Sequence, residues 1–98
     1  MEITEITVTL RNEDKLKAFV NITFDDKFVV RGLKVIKGAN GFFISMPSRK
    51  MPDGTFKDIA HPINKEFRDF IEKVILEKYN ETLEQEKSKN KSNIEYPN

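Results

Sequence analysis

Residues 16–24 read Leu-Lys-Ala-Phe-Val-Asn-Ile-Thr-Phe, and this stretch decides the fold. Leu16, Ala18, Val20, Ile22 and Phe24 alternate without a break with Lys17, Phe19, Asn21 and Thr23. Successive side chains on a strand point to opposite faces, so this period of two means a strand with one buried face. The pattern spreads in both directions. Upstream, Ile6, Val8 and Leu10 alternate with Glu5, Thr7 and Thr9, which predicts a strand over residues 3–11 ending at the turn residues Asn12-Glu13-Asp14. Downstream, Asp25-Asp26 makes the next turn, and residues 27–36 form a third strand that changes phase. Phe28 and Val30 share one face, but Leu33 and Val35 are offset by one residue, with Gly32 between them. One extra residue at a glycine predicts a β-bulge that returns the chain to the core face.

Gly38-Ala39-Asn40-Gly41 is a hairpin signal, because Asn-Gly tolerates positive φ. Phe42, Ile44 and Met46 continue as a fourth strand, with Phe43 and Ser45 on its other face. Pro47 ends that strand, since it has no N–H to donate to a ladder. Arg49-Lys50-Met51 then lies between two prolines and reads as a loop. Pro52-Asp53-Gly54 is a turn, and residues 55–60 offer a short fifth strand. Asn64 is a good N-cap, and Phe67, Phe70, Ile71, Val74, Ile75, Tyr79 and Leu83 recur at helical spacing, which predicts a helix over residues 65–83. The expected fold is α+β: a twisted antiparallel sheet of five strands or so, followed by one C-terminal amphipathic helix. Residues 1–83 form the domain. Residues 84–98, rich in Glu, Gln, Lys, Asn and Ser, are expected to be a disordered tail or a frayed extension of the helix.

Phe19, Val29 and Phe43 fall on the face opposite the main alternation. One helix cannot cover two faces, and a domain of this size gains core by pairing. These three residues are therefore candidates for a homodimer interface. The plain alternative is that they are scattered exposed aromatics and aliphatics, which need no partner.

Composition excludes much chemistry. The 98 residues contain no Cys and one His, so there is no thiolate nucleophile, no disulfide framework and no Cys- or multi-His metal site. The glycines form no phosphate-cradling motif. Asp58 stands three residues before His61, but no nucleophile motif accompanies them, and His61 beside Pro62 is expected to order the turn into the helix. No catalytic residue, metal, cofactor or small-molecule substrate is expected. The acidic start lacks an apolar leader and no apolar run is long enough to span a bilayer, so the cytoplasm is the expected compartment and no membrane the expected partner.

The formal net charge of +1 hides an asymmetry. Residues 26–61 hold seven basic side chains (Lys27, Arg31, Lys34, Lys37, Arg49, Lys50, Lys57) against three acidic ones (Asp26, Asp53, Asp58). This is either a solvated strand face or a polyanion footprint. Arg49 and Lys50 stand out, because the flanking prolines present them to solvent. Lys57 can join them across the Pro-Asp-Gly turn, and Lys65 and Arg68 can add to the same surface from the start of the helix. Such contacts suit backbone positioning better than base readout.

Phe43-Ile44-Ser45-Met46-Pro47-Ser48-Arg49-Lys50 and Pro52-Asp53-Gly54-Thr55-Phe56-Lys57-Asp58-Ile59-Ala60-His61-Pro62-Ile63-Asn64 strongly resemble the stage V sporulation protein G (SpoVG) family of bacteria. Ile3-Thr4-Glu5-Ile6, Phe28-Val29-Val30 and Lys34-Val35-Ile36 are similar to it too, so the likeness runs over residues 1–80. The resemblance implies a small cytoplasmic protein with an antiparallel sheet and a C-terminal helix, assembled as a dimer and without enzymatic activity. It implies a regulator of septation, sporulation or gene expression that binds DNA and/or RNA. Arg49 and Lys50 match the family's paired basic positions after Met-Pro-Ser, and Lys65, Arg68 and Lys73 lie in the helix region to which the family's nucleic-acid preference is attributed. The competing expectation is an adaptor that binds a protein of the division or envelope machinery through the second apolar face, with nucleic-acid binding incidental.

Overall fold

The computed structural model describes residues 1–11 and 13–95. Strands β1 (Ile3–Leu10), β2 (Leu16–Phe24), β3 (Phe28–Gly38) and β4 (Gly41–Ser45) form a four-stranded antiparallel meander in the order β1-β2-β3-β4. Strands β5 (Ser48–Lys50) and β6 (Phe56–Asp58) form a separate two-stranded antiparallel ribbon. Helix α1 (Lys65–Glu95) follows. The α+β expectation holds, with six strands in two sheets rather than five in one. Two prolines explain the difference. Pro47 interrupts the main ladder, and its carbonyl accepts a hydrogen bond from the Ile59 amide at 2.7 Å, which starts the ribbon. Pro47 and Pro52 flank residues 48–50 without interrupting them, so that the segment read as a loop keeps every amide it needs for a ladder.

The alternation of β2 becomes the core. Ala18, Val20, Ile22 and Phe24 are buried, with Leu33, Val35, Ile44 and Met46 beside them from β3 and the β4 end. Ile71, Ile75 and Tyr79 cover them from α1, one helical turn apart, and Phe67 and Leu83 extend the same stripe at both ends. The Tyr79 ring packs on Phe42 with centroids 5.8 Å apart, and Phe67 packs on Phe24 at 6.2 Å. Burial raises the Tyr79 phenol above its usual range. Leu16 leaves the series. The register slips between Leu16 and Ala18, so Leu16 pairs with Ile36 and lies outside the buried set.

The turns follow their residues. Asp25 and Asp26 both adopt positive φ (53° and 52°), and the Lys27 amide donates to the Phe24 carbonyl at 2.9 Å, giving a type I′ turn. Glu2 and the start of the first strand hold this strained pair in place: the Glu2 amide donates to Asp25 Oδ1 (3.0 Å) and the Asp26 amide to Thr4 Oγ1 (2.9 Å). Asn12, the first residue of the expected β1–β2 turn, lies outside the described residues. Gly38 pairs with Gly41, which makes Ala39-Asn40 the two-residue hairpin loop.

Gly32 sits where the phase change predicts a bulge. Val20 pairs with Leu33 and Ile22 with Val30, so Arg31 and Gly32 together oppose Asn21. Gly32 has φ +86°, and its amide donates to Asn21 Oδ1 at 3.4 Å. The extra residue moves Leu33 and Val35 back to the core face. The helix begins as expected, with Asn64 Oδ1 accepting from the Phe67 amide at 2.8 Å. It does not stop at Leu83 but runs through Glu95, as the helix extension offered as an alternative to a disordered tail, and residues 96–98 of the expected tail lie outside the described residues. Residues 84–95 contain no Gly or Pro, and Glu, Gln and Lys are good helix formers, so nothing local ends it.

A β-carbon at position 32 would meet only Pro47 Cβ, at an ordinary 3.8 Å, so the cost of a substitution there is backbone strain. Gly32→Ala is expected to lower unfolding stability by about 1–2 kcal/mol, read from urea midpoints at constant m-value.

Candidate functional site

The β5–β6 ribbon carries the exposed cations. Ser48 pairs with Asp58, Arg49 with Lys57 and Lys50 with Phe56. Arg49 and Lys57 are thus direct cross-strand neighbours on one face, and Lys50 and Phe56 are neighbours on the other. Arg49 and Lys50, adjacent in the sequence and expected to act side by side, are separated by the alternation of the strand. Arg49, Lys50 and Lys57 are all exposed. None makes a salt bridge among the described residues, where the ion pairs are Arg11–Glu13 and Lys65–Asp69. Like charges directly opposed in a hairpin repel, by up to about 1 kcal/mol at cross-strand spacing in water. An anion seated between Arg49 and Lys57 would turn that repulsion into attraction.

The ribbon is a preformed element. At its tip the Gly54 amide donates to the Met51 carbonyl at 2.9 Å and the Met51 amide to the Thr55 carbonyl at 2.7 Å, with Gly54 at φ +91°. Asp53 Oδ1 accepts from both the Thr55 hydroxyl (2.7 Å) and the Thr55 amide (3.0 Å). These bonds, the hydroxyl's foremost, hold the Asp53 carboxyl below the usual aspartate range.

The two helix cations differ from the ribbon. Lys65 Nζ bonds Asp69 Oδ2 at 2.8 Å, which raises the Lys65 ammonium above its usual range and gives its charge a partner within the helix. Arg68 is half-buried at the end of the first turn. His61 Nδ1 donates to the Pro62 carbonyl at 3.0 Å, the turn-ordering bond expected of it. His61 also borders an apolar crevice of about 330 Å³ lined by Ile22, Phe24, Met46, Phe67 and Ile71, where it meets no nucleophile.

On the outer sheet face, the structure brings two of the three interface candidates together. Phe43, 49% exposed, pairs with Ile36, which pairs in turn with Leu16, and Phe19 lies one row away opposite Lys34. Arg11 covers the Phe19 ring at 5.6 Å from its centroid. Val29, also 49% exposed, is paired with Thr23 near the opposite end of that face, next to the Asp25-Asp26 turn. Sequence reasoning missed Ile36, although the alternation from Leu33 and Val35 puts it on this face, and it missed Leu16 because the register slip at Lys17 leaves no mark in the pattern. It also missed Phe56, which is 68% exposed. The signal for Phe56 was available: its same-face neighbours along the strand are Gly54 and Asp58, so it belongs to no apolar stripe.

A four-stranded meander under one helix, with a cationic hairpin between them, defines a small α+β domain whose polar chemistry lies on its surface and not in a pocket. The chain belongs to the SpoVG family, whose model matches residues 1–81. It is 54% identical over 80 residues to the "Putative septation protein SpoVG" of Caldicellulosiruptor saccharolyticus, covering 81% of this chain and 91% of the relative. Against the protein of the same name in Thermoanaerobacter pseudethanolicus the identity is 55% over 87 residues, covering 88% and 95%. Against that of an Anaeromyxobacter species it is 59% over 83 residues, covering 85% and 86%. No enzymatic activity is carried in these names. No helix among the described residues is long and apolar enough to cross a membrane.

Asp53 provides a pH test of the ribbon tip. Its carboxyl is depressed when folded, so the bonds to Thr55 contribute fully above the unfolded value and are lost as pH falls through the lower folded value. Carbon-detected NMR is expected to show Asp53 titrating at lower pH than an unstructured aspartate, with the Thr55 amide shift following the same curve. Asp53→Ala should abolish that coupled Thr55 transition.

Proposed function

We propose that this protein is a nucleic-acid-binding regulator of septation, sporulation or gene expression, acting as a dimer on DNA and/or RNA in the cytoplasm. The observation that carries the reading is the Arg49–Lys57 pair: two exposed cations opposed across a hairpin, neither of them paired with a carboxylate among the described residues. A phosphate backbone supplies the missing charge, and arginine can grip it bidentately. Lys50 extends the footprint to the other face of the ribbon. Lys65 and Arg68 are secondary contacts, because Lys65 already has Asp69 as a partner. In a dimer the ribbon is present twice about a two-fold axis, and two ribbons engage more phosphates than one. The SpoVG relatives' name, a septation protein, supports the biological setting.

The dimer in this reading covers the outer row of Leu16, Ile36 and Phe43, with Phe19 beside it. The same face supports a second reading, an adaptor that docks a protein of the division or envelope machinery there. The two readings separate by experiment. Sedimentation velocity at micromolar concentration is expected to give a dimer, and Phe43→Glu a folded monomer. A wild-type monomer with the fold intact would leave the face to another protein.

Binding to labelled duplex DNA and to RNA, at about 50 and 200 mM salt, tests the ribbon. The double substitution Arg49→Ala with Lys57→Ala should weaken binding across all sequences and flatten the salt slope by about two units, one for each phosphate that is no longer neutralised. An unchanged slope would remove the Arg49–Lys57 face from the interface. Absence of binding to either polymer, with salt-insensitive capture of a protein, would favour the adaptor.

A further inference from the structure

We propose that the Lys50–Phe56 face of the ribbon seats an unpaired base of a single-stranded nucleic acid, with Phe56 stacking on the base and Lys50 holding the adjoining phosphate. The proposal rests on the nucleic-acid reading above and assigns that reading a strand state. Phe56 is 68% exposed and directly opposite Lys50. The remaining positions of this face, Ser48 and Asp58, are polar, and neither Lys50 nor Asp58 forms an ion pair among the described residues. The ring therefore adds nothing to the core and has no apolar neighbour on its own face. Cross-strand neighbours hold their β-carbons about 4.5–5.5 Å apart, so an ammonium on a lysine stem reaches the phosphate of a base lying on the phenyl ring. A flat ring beside a cation is the pairing by which proteins take up single strands irrespective of sequence, since every base has a π-face.

The partner must be unpaired because a base inside a duplex already has both faces stacked on its neighbours. Single-stranded DNA and RNA share the ring faces and phosphates that this site reads, and differ at the 2′-hydroxyl. The ribbon thereby divides its work. Arg49 and Lys57 take backbone charge of any kind on one face, and Phe56 with Lys50 selects for unstacked bases on the other.

The test uses the full-length protein and fluorescence anisotropy with three probes: oligodeoxyuridine, oligouridine and a DNA duplex. Phe56→Ala and Phe56→Leu should each weaken binding to the single strands by about 5- to 150-fold. Phe56→Trp should retain it, and none of the three should change duplex binding. Because Phe56 lies outside the core, all three variants are expected to keep the wild-type thermal midpoint, which serves as the folding control. Oligodeoxyuridine and oligouridine bound with equal affinity would mean that the site ignores the sugar. A preference for one would assign the strand to DNA or RNA within the same proposal. Wild-type affinity for single strands in Phe56→Leu would overturn it, because leucine keeps the apolar bulk and lacks the π-face. So would an equal loss on duplex and single strand. Salt-sensitive duplex binding without any single-strand binding overturns this proposal and leaves the proposed function standing. No binding to any probe overturns the proposed function itself.

Discussion

The whole domain depends on one burial event: the apolar face of a four-stranded sheet closing under a single helix. Val20, Ile22, Leu33, Val35 and Ile75 are the largest side chains all but inaccessible to water among the described residues, and they form the centre of the core. No disulfide supplements it, since the chain has no cysteine. A domain of this size buries a smaller fraction of its surface than a larger one does, so its margin of stability is narrow and each of these side chains carries a large share. The Asn64 cap sets where the helix begins. The Gly32 bulge keeps Leu33 and Val35 turned toward it. Both features serve the same interface from opposite layers.

Burying one face leaves the rest of the molecule free to be polar, and the ribbon exploits that freedom. It stands between the sheet and the helix in the sequence, hydrogen-bonded back to Pro47 through Ile59 and closed at its tip by Asp53 and Thr55. Its side chains are almost wholly exposed, so stability places few demands on their identity. Arg49, Lys57, Lys50 and Phe56 are costly or neutral for folding where they stand, which leaves them available for contact with something else.

Most of the fold was readable because period two and period 3.6 are strong signals when the segments are long. The β2 alternation, the one-residue phase change at Gly32, the Asn-Gly hairpin and the Asn64 cap each correspond to a feature of the structure. What escaped was short or non-local. Three residues between prolines carry too little pattern to distinguish a strand from a loop, so β5 was hidden, and with it the separation of Arg49 from Lys50. The slip at Lys17 depends on pairing with β3, which no local pattern reports. The loss of apolar residues after Leu83 leaves a disordered tail and a helix extension open, and hydrogen bonds within a helix need no core, so good helix formers carry it to Glu95. The cations of the candidate site could be named from the sequence. Their grouping could not, because it is a property of the register.

The meander has a consequence for how the chain is made. Every strand of the main sheet pairs with its neighbour in sequence, so each ladder closes only a short loop and can form as soon as its second strand is available. The helix that seals the sheet comes last. At ordinary rates of synthesis, the residues between the end of β4 and Tyr79 take on the order of a few seconds to add. For that interval the nascent chain has every strand of the sheet and not yet the helix face that buries their apolar side.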